Sequence, residues 1–104
     1  MPGVDFRAVR QSVSMQDVLD LIGFVPQERS GDTRRGPCPV HHSHAPRSRS
    51  FAVHLRRNVY HCFRCGSAGN HLDLYAAVTR RGVYEAAVDL CAKLHREVPC
   101  VRRW

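Results

Sequence analysis

The chain has 104 residues, with 16 Lys or Arg against nine Asp or Glu and a formal net charge of +7. That length fits one domain with a modest core. No apolar run approaches a membrane span and the first residues lack a signal-peptide pattern, so a cytoplasmic location without a membrane partner is expected. All the basic residues except Lys93 are arginine, a choice that favours phosphate and base-edge recognition, although a GC-rich genome gives the same excess.

Asp5 to Ser12 is expected to form a short first helix. Ser14 followed by Asp17 makes a capping-box-like start for a second helix, with Val18, Leu19, Leu21 and Ile22 as its apolar face and Gly23 at its end. Residues 26–37 mix turn formers with charges and read as a loop or an edge hairpin.

Two short ligand pairs follow, Cys38-x2-His41 and Cys62-x2-Cys65, separated by twenty residues. A two-residue spacing lets both side chains of a pair converge on one ion from a tight turn, and four such ligands describe a closed, tetrahedral structural zinc site. The expected cofactor is one structural Zn²⁺. His41 makes the shortest knuckle, while His42 and His44 require wider loops. An odd number of cysteines, five, with knuckle spacing points to metal rather than disulfides and to a reducing compartment.

Between the pairs, a polar stretch leads into S-F-A-V-H-L, where Phe51, Val53 and Leu55 alternate on one face of a strand. Arg56 to Asn58 supply a turn, and N-V-Y-H-C-F returns as a second strand delivering Cys62 and Cys65. Gly66 suits a left-handed backbone after the last ligand. The arginines cluster here: Arg34 and Arg35 lead into the first knuckle, Arg47 and Arg49 follow it, Arg56 and Arg57 occupy the hairpin tip, and Arg64 lies inside the second knuckle. Phe51, Tyr60, His61 and Phe63 are candidates for stacking on bases, with core packing as the competing role. His54, His61 and His71 fall where a solvated or packed imidazole is the usual outcome.

Asn70 with Asp73 marks another helix start, continued by Leu72, Leu74, Tyr75 and Val78 and closed by Arg80, Arg81 and Gly82. Val83, Ala87, Leu90, Cys91 and Leu94 give a last helix its apolar face. Cys91 reads as a buried apolar residue and Cys100 as part of a tail, neither as a ligand. The organisation is thus one domain over 1–104, α+β in class: N-terminal helices at 5–23, a zinc ribbon with a small antiparallel sheet at 34–66, C-terminal helices at 70–96 and a basic tail at 97–104.

R-R-G-P-C-P-V-H, S-F-A-V, N-V-Y-H-C-F-R-C-G-S-A-G-N and Y-E-A-A-V-D-L-C-A-K-L, in that order, resemble the Cys-His-Cys-Cys zinc-binding domain at the N-terminus of bacterial DnaG-type DNA primases. The resemblance implies a zinc ribbon flanked by helices that binds single-stranded template DNA and helps choose where RNA primers start. It gives Cys38, His41, Cys62 and Cys65 the ligand roles, and matches Arg34 and Arg35 to the family's basic approach to the first knuckle. Two departures stand out: Arg47, Ser48 and Arg49 lengthen and charge the loop after Pro46, and Asn70 replaces a customary aspartate.

Primer synthesis is metal-dependent phosphoryl transfer and needs clustered carboxylates, whereas the nine acids here are scattered. The expectation is therefore a binding module without a catalytic site, either a piece of a primase or a separate chain. Its nucleic-acid contacts would be Arg34, Arg35, Arg47, Arg49, Arg56, Arg57, His61, Phe63 and Arg64, and its partners single-stranded DNA and a primase catalytic domain or replicative helicase. The alternatives are a mobile-element or regulatory protein that binds duplex DNA, and a zinc scaffold that binds protein.

Overall fold

In the computed structural model, residues 3–40, 49–95 and 100–101 are described. The elements in chain order are β1 (Gly3–Val4), α1 (Phe6–Ser12), α2 (Met15–Ile22), β2 (Glu28–Ser30), β3 (Thr33–Gly36), β4 (Phe51–His54), β5 (Val59–Cys62), β6 (Ala68–Asn70), α3 (His71–Thr79), α4 (Val83–Lys93) and β7 (Cys100–Val101). The class is α+β, as expected. Strands β2 to β6 form one antiparallel sheet in sequence order, and β1 pairs with β7 in a separate two-stranded ladder.

Caps explain where the helices begin. The Asp5 carboxylate accepts from the Ala8 amide at 3.1 Å, and Ser14 and Asp17 complete a reciprocal capping box at the start of α2. Asn70 and Asp73 do the same for α3, so the Asn70 side-chain oxygen serves at the N-cap where the customary aspartate would place a carboxylate. The Asp73 carboxylate lies where a Cβ on residue 69 would sit, 2.5 Å away, which requires glycine there. Gly23 ends α2 in the left-handed region at φ +72°. A long-range cap ties layers together: Asn58, at the β4–β5 turn, accepts from the Met15 amide at 2.9 Å.

One face of the sheet packs on the helices. Phe51, Val53, Tyr60 and Cys62 point inward and meet Met15, Val18, Leu72, Leu74 and Leu90 in one core. Helix α3 packs against α2, α4, β5 and β6. Gly36 admits Phe24, whose ring would lie 3.0 Å from a Cβ there and stands edge-on to Phe51 at 5.2 Å between centroids. His71 is buried too, with Nε2 2.9 Å from the Arg10 carbonyl oxygen at the end of α1.

Some details differ from the sequence reading. In α2 the buried side chains are Met15, Val18 and Leu19, and Leu21 is exposed, because a helix starting at Met15 puts 15, 18, 19 and 22 on one face. Leu55 belongs to the turn, not the strand, and donates its amide to the Asp32 carbonyl at 2.7 Å. Ala86 joins Ala87, Leu90 and Cys91 in the buried face of α4, while Val83, in its first turn, is exposed. Residues 26–37 do form an edge hairpin, β2–β3.

Candidate metal centre

Two loops at one end of the sheet bring the cysteines together. After β3 the chain runs through Pro37 to Cys38, and after β5 a tight loop carries Phe63, Arg64, Cys65 and Gly66. The second loop closes on itself: Cys62 donates its amide to the Ser67 carbonyl at 2.8 Å, and Gly66 donates to the Cys62 carbonyl at 2.9 Å. Gly66 has φ +79°, the left-handed conformation expected of it. Tyr60 Oη lies 2.7 Å from Ser67 Oγ and fixes the far end of the loop to the strand.

The Sγ atoms of Cys38, Cys62 and Cys65 lie within 4.8 Å of one another, and Cys38 Sγ is 3.9 Å from Cys65 Sγ. A tetrahedral zinc with Zn–S bonds of about 2.3 Å has ligand-to-ligand edges of about 3.8 Å, so the spacing suits such an ion. Cys38 and Cys62 are buried and Cys65 is exposed. The environment also favours thiolate. Burial pushes the Cys62 thiol up, but hydrogen bonds from the Cys65 and Arg64 amides and from the Cys65 and Cys38 thiols outweigh it and bring it down to about 7. One of those amides, that of Cys65, lies 3.4 Å from Cys62 Sγ. His41, His42, His44 and Arg47 lie outside the described residues.

The face of the sheet turned away from the core starts at this centre. Partnered residues in an antiparallel ladder share a face, so Arg35, Ala52 and His61 point together to the open side. His61 and Phe63 stack with centroids 4.5 Å apart and planes 16° apart, and the Arg35 guanidinium carbon is 5.6 Å from the Phe63 centroid, within cation–π range. Arg35 also donates Nε and Nη2 to the Arg49 carbonyl at 3.2 and 2.8 Å. Phe63 remains 65% exposed. Among the four aromatic residues suggested for stacking, Phe51 and Tyr60 belong to the core, because strand alternation turns 51, 53, 60 and 62 inward.

The other arginines have varied surroundings. Arg34 points to the opposite face from Arg35, and its Nη1 donates to the Gly31 and Thr33 carbonyls at 2.7 and 2.9 Å. Arg49 pairs with Glu28 at 3.6 Å and Arg56 with Asp32 at 3.5 Å; Arg57 and Arg64 are exposed. The composite stack of Arg35, Phe63 and His61 was not anticipated. Its signal was the alternation that puts 61 and 63 on one side, but the register that adds Arg35 is not written in any local pattern.

Residues 4–103 match the CHC2 zinc finger family. The chain is 34% identical over 94 residues to the DNA primase of Geobacillus stearothermophilus, covering 89% of this chain and 15% of that protein. It is 30% identical over 92 residues to the DNA primase of Haemophilus influenzae, covering 88% and 15%. It therefore spans about 15% of the length of these relatives. The Aquifex aeolicus primase structure, comprising zinc binding and RNA polymerase domains, superposes with a TM-score of 0.69 at 25% identity, covering 92% of this chain and 23% of that one. The expected cofactor, one structural zinc ion, agrees with this family and with the thiol cluster. A primase-like zinc module is what the match and the fold describe together, and the chain belongs to the CHC2 zinc finger family.

Proposed function

We propose that this module binds single-stranded template DNA during primer initiation, with zinc held by Cys38, His41, Cys62 and Cys65. The zinc supplies a crosslink between the two loops that the small core does not provide. The chain's own residues then do the binding. The observation that carries this reading is the exposed Arg35–Phe63–His61 stack on the open face, directly beside the thiol cluster. Unpaired bases have free π-faces that such a platform accepts, whereas bases stacked inside a duplex do not present theirs.

Beyond this platform, Arg35, Arg49, Arg56, Arg57 and Arg64, with Arg34 on the reverse face and Arg47 in the segment between the knuckles, supply positive charge for phosphates. Arg49 and Arg56 exchange exposed carboxylate partners for phosphate at small cost, since surface ion pairs contribute little. The partners in this reading are single-stranded DNA and a primase catalytic domain or a replicative helicase, in the cytoplasm, where thiol ligands stay reduced. Among the described residues, no helix is long and apolar enough to cross a membrane.

Fluorescence anisotropy with labelled single-stranded and duplex oligonucleotides of equal length tests the reading. The single strand should bind more tightly, with affinity falling with salt at a log–log slope of about 0.7 per neutralised phosphate. Phe63→Ala should cost about 1–3 kcal/mol of binding while leaving zinc content intact. Equal affinity for duplex would favour a regulatory or mobile-element role, and no binding at low salt would favour a protein-binding scaffold.

A further inference from the structure

The β2–β3 hairpin carries arginine on both of its faces. Arg35 shares the open face with its partner Glu28, while Arg29 and Arg34, which are partners of each other, point to the reverse side. There they line a groove with Gln16, Leu19, Asp20, Phe24 and Pro26, between α2 and the hairpin. Like charges directly opposite in a ladder destabilise it, so this pairing works against the hairpin that contains it.

Among the described residues no carboxylate pairs with Arg29 or Arg34, and the groove sets two guanidinium groups against one carboxylate, that of Asp20. The Arg34 guanidinium donates to the Gly31 and Thr33 carbonyls, which hold it in place without neutralising it. Asp20, the one acid lining the groove, accepts at Oδ1 from Gln16 Nε2 at 2.8 Å. The two acids of the hairpin itself pair elsewhere, Glu28 with Arg49 and Asp32 with Arg56. Arg29 is exposed, with no ion pair among the described residues. Two arginines at partnered ladder positions along one groove can both reach the oxygens of a bridging phosphodiester, which removes the repulsion and forms charge-assisted hydrogen bonds.

Strand β2 is an outer edge of the five-stranded sheet and is three residues long. A nucleic-acid strand leaving the open face at Arg35 therefore meets the reverse-face pair by rounding one short edge strand. We propose that Arg29 and Arg34 form a second phosphate site, which takes the backbone of the same single-stranded DNA as it rounds β2 and so lengthens the footprint. This rests on the single-strand reading above, and adds Arg29 to the binding residues.

The test compares Arg29→Ala with wild type on two labelled oligothymidylates, one of about 4 and one of about 12 nucleotides, the range of single-strand site sizes per small module. Arg29→Ala should flatten the salt slope for the longer strand by about 0.7 per lost phosphate contact and leave the shorter strand unchanged. Arg29→Lys should restore the slope, and Arg80→Ala, a surface arginine on the α3–α4 turn, should leave it unaltered. Zinc content and circular dichroism monitor the fold, and because Arg34→Ala also removes contacts to the hairpin turn, the Arg29 variant is decisive. An unchanged slope on the longer strand, equal flattening on both strands, or equal flattening by Arg80→Ala would overturn the proposal while leaving the single-strand reading standing. Wild-type protein that binds neither strand would overturn both.

Discussion

The two sides of the sheet–helix layer are held by different physics. Toward the helices, Phe51, Leu72, Leu74 and Leu90 are fully buried, and paired caps satisfy the starts of α2 and α3. At the zinc end, the second loop exposes Phe63, Arg64, Cys65 and Gly66 and buries little beyond Cys62. Burial makes the first region; loop hydrogen bonds and metal–thiolate bonds make the second. A short polar loop whose arginine and phenylalanine are exposed cannot hold itself by burial, and a metal ion bridging its thiols offsets that lack.

Removing the metal should have the largest effect. Apparent zinc-binding energies of about 10–16 kcal/mol in finger peptides match or exceed the whole stability of an ordinary domain. Chelation, or Cys62→Ser, should therefore abolish cooperative thermal unfolding followed by circular dichroism. A Cys62→Ser protein that melts like wild type would show that the thiol cluster carries no folding energy.

The converse perturbation should be smaller and of a different kind. Leu90→Ala, in the buried face of α4, should cost about 2–5 kcal/mol in denaturant melts while the folded protein keeps its zinc. Loss of metal from that variant under native conditions would mean that the two regions are not separable.

The smallest effect concerns the contact between α3 and α4. Tyr75 donates its hydroxyl hydrogen to the Asp89 carboxylate, and Arg81 pairs with the same carboxylate at 3.3 Å. Burial, then the hydrogen bond to Asp89 and its charge, push the Tyr75 phenol up to about 12. That exceeds the ordinary value near 10, so the stabilisation is complete below about pH 10 and is lost as pH rises toward 12. The stability gap between wild type and Tyr75→Phe should stay constant from neutral pH to about pH 9 and close above about pH 10. A gap that ignores alkaline pH would remove this contact from the account.

Local signals in the sequence marked most of this architecture. Ser14 with Asp17 and Asn70 with Asp73 read as helix starts because both partners lie three residues apart, and the alternation of Phe51 and Val53 marked one face of β4, while the inward facing of Tyr60 and Cys62 came from the β4–β5 register. What escaped depends on contacts distant in the chain. Strand β6 follows the second knuckle in only three residues, too few for a periodic pattern, and the β1–β7 ladder joins chain segments nearly a whole sequence apart. The opposite facing of Arg34 and Arg35 follows from β3 being a strand, but the edge-hairpin reading left its boundaries open. For the site, knuckle spacing located the three thiols, while the Arg35–Phe63–His61 stack needed the β3–β4–β5 register.

The ligand set is the hinge of the whole account, and X-ray absorption at the zinc edge reads it directly. The expected result is one zinc per chain with three sulfur neighbours at about 2.3 Å and one imidazole nitrogen at about 2.0–2.1 Å, the nitrogen contribution vanishing in His41→Ala but not in His42→Ala or His44→Ala. A first shell with fewer than three sulfurs, or a nitrogen that survives His41→Ala and disappears in His44→Ala, would contradict it.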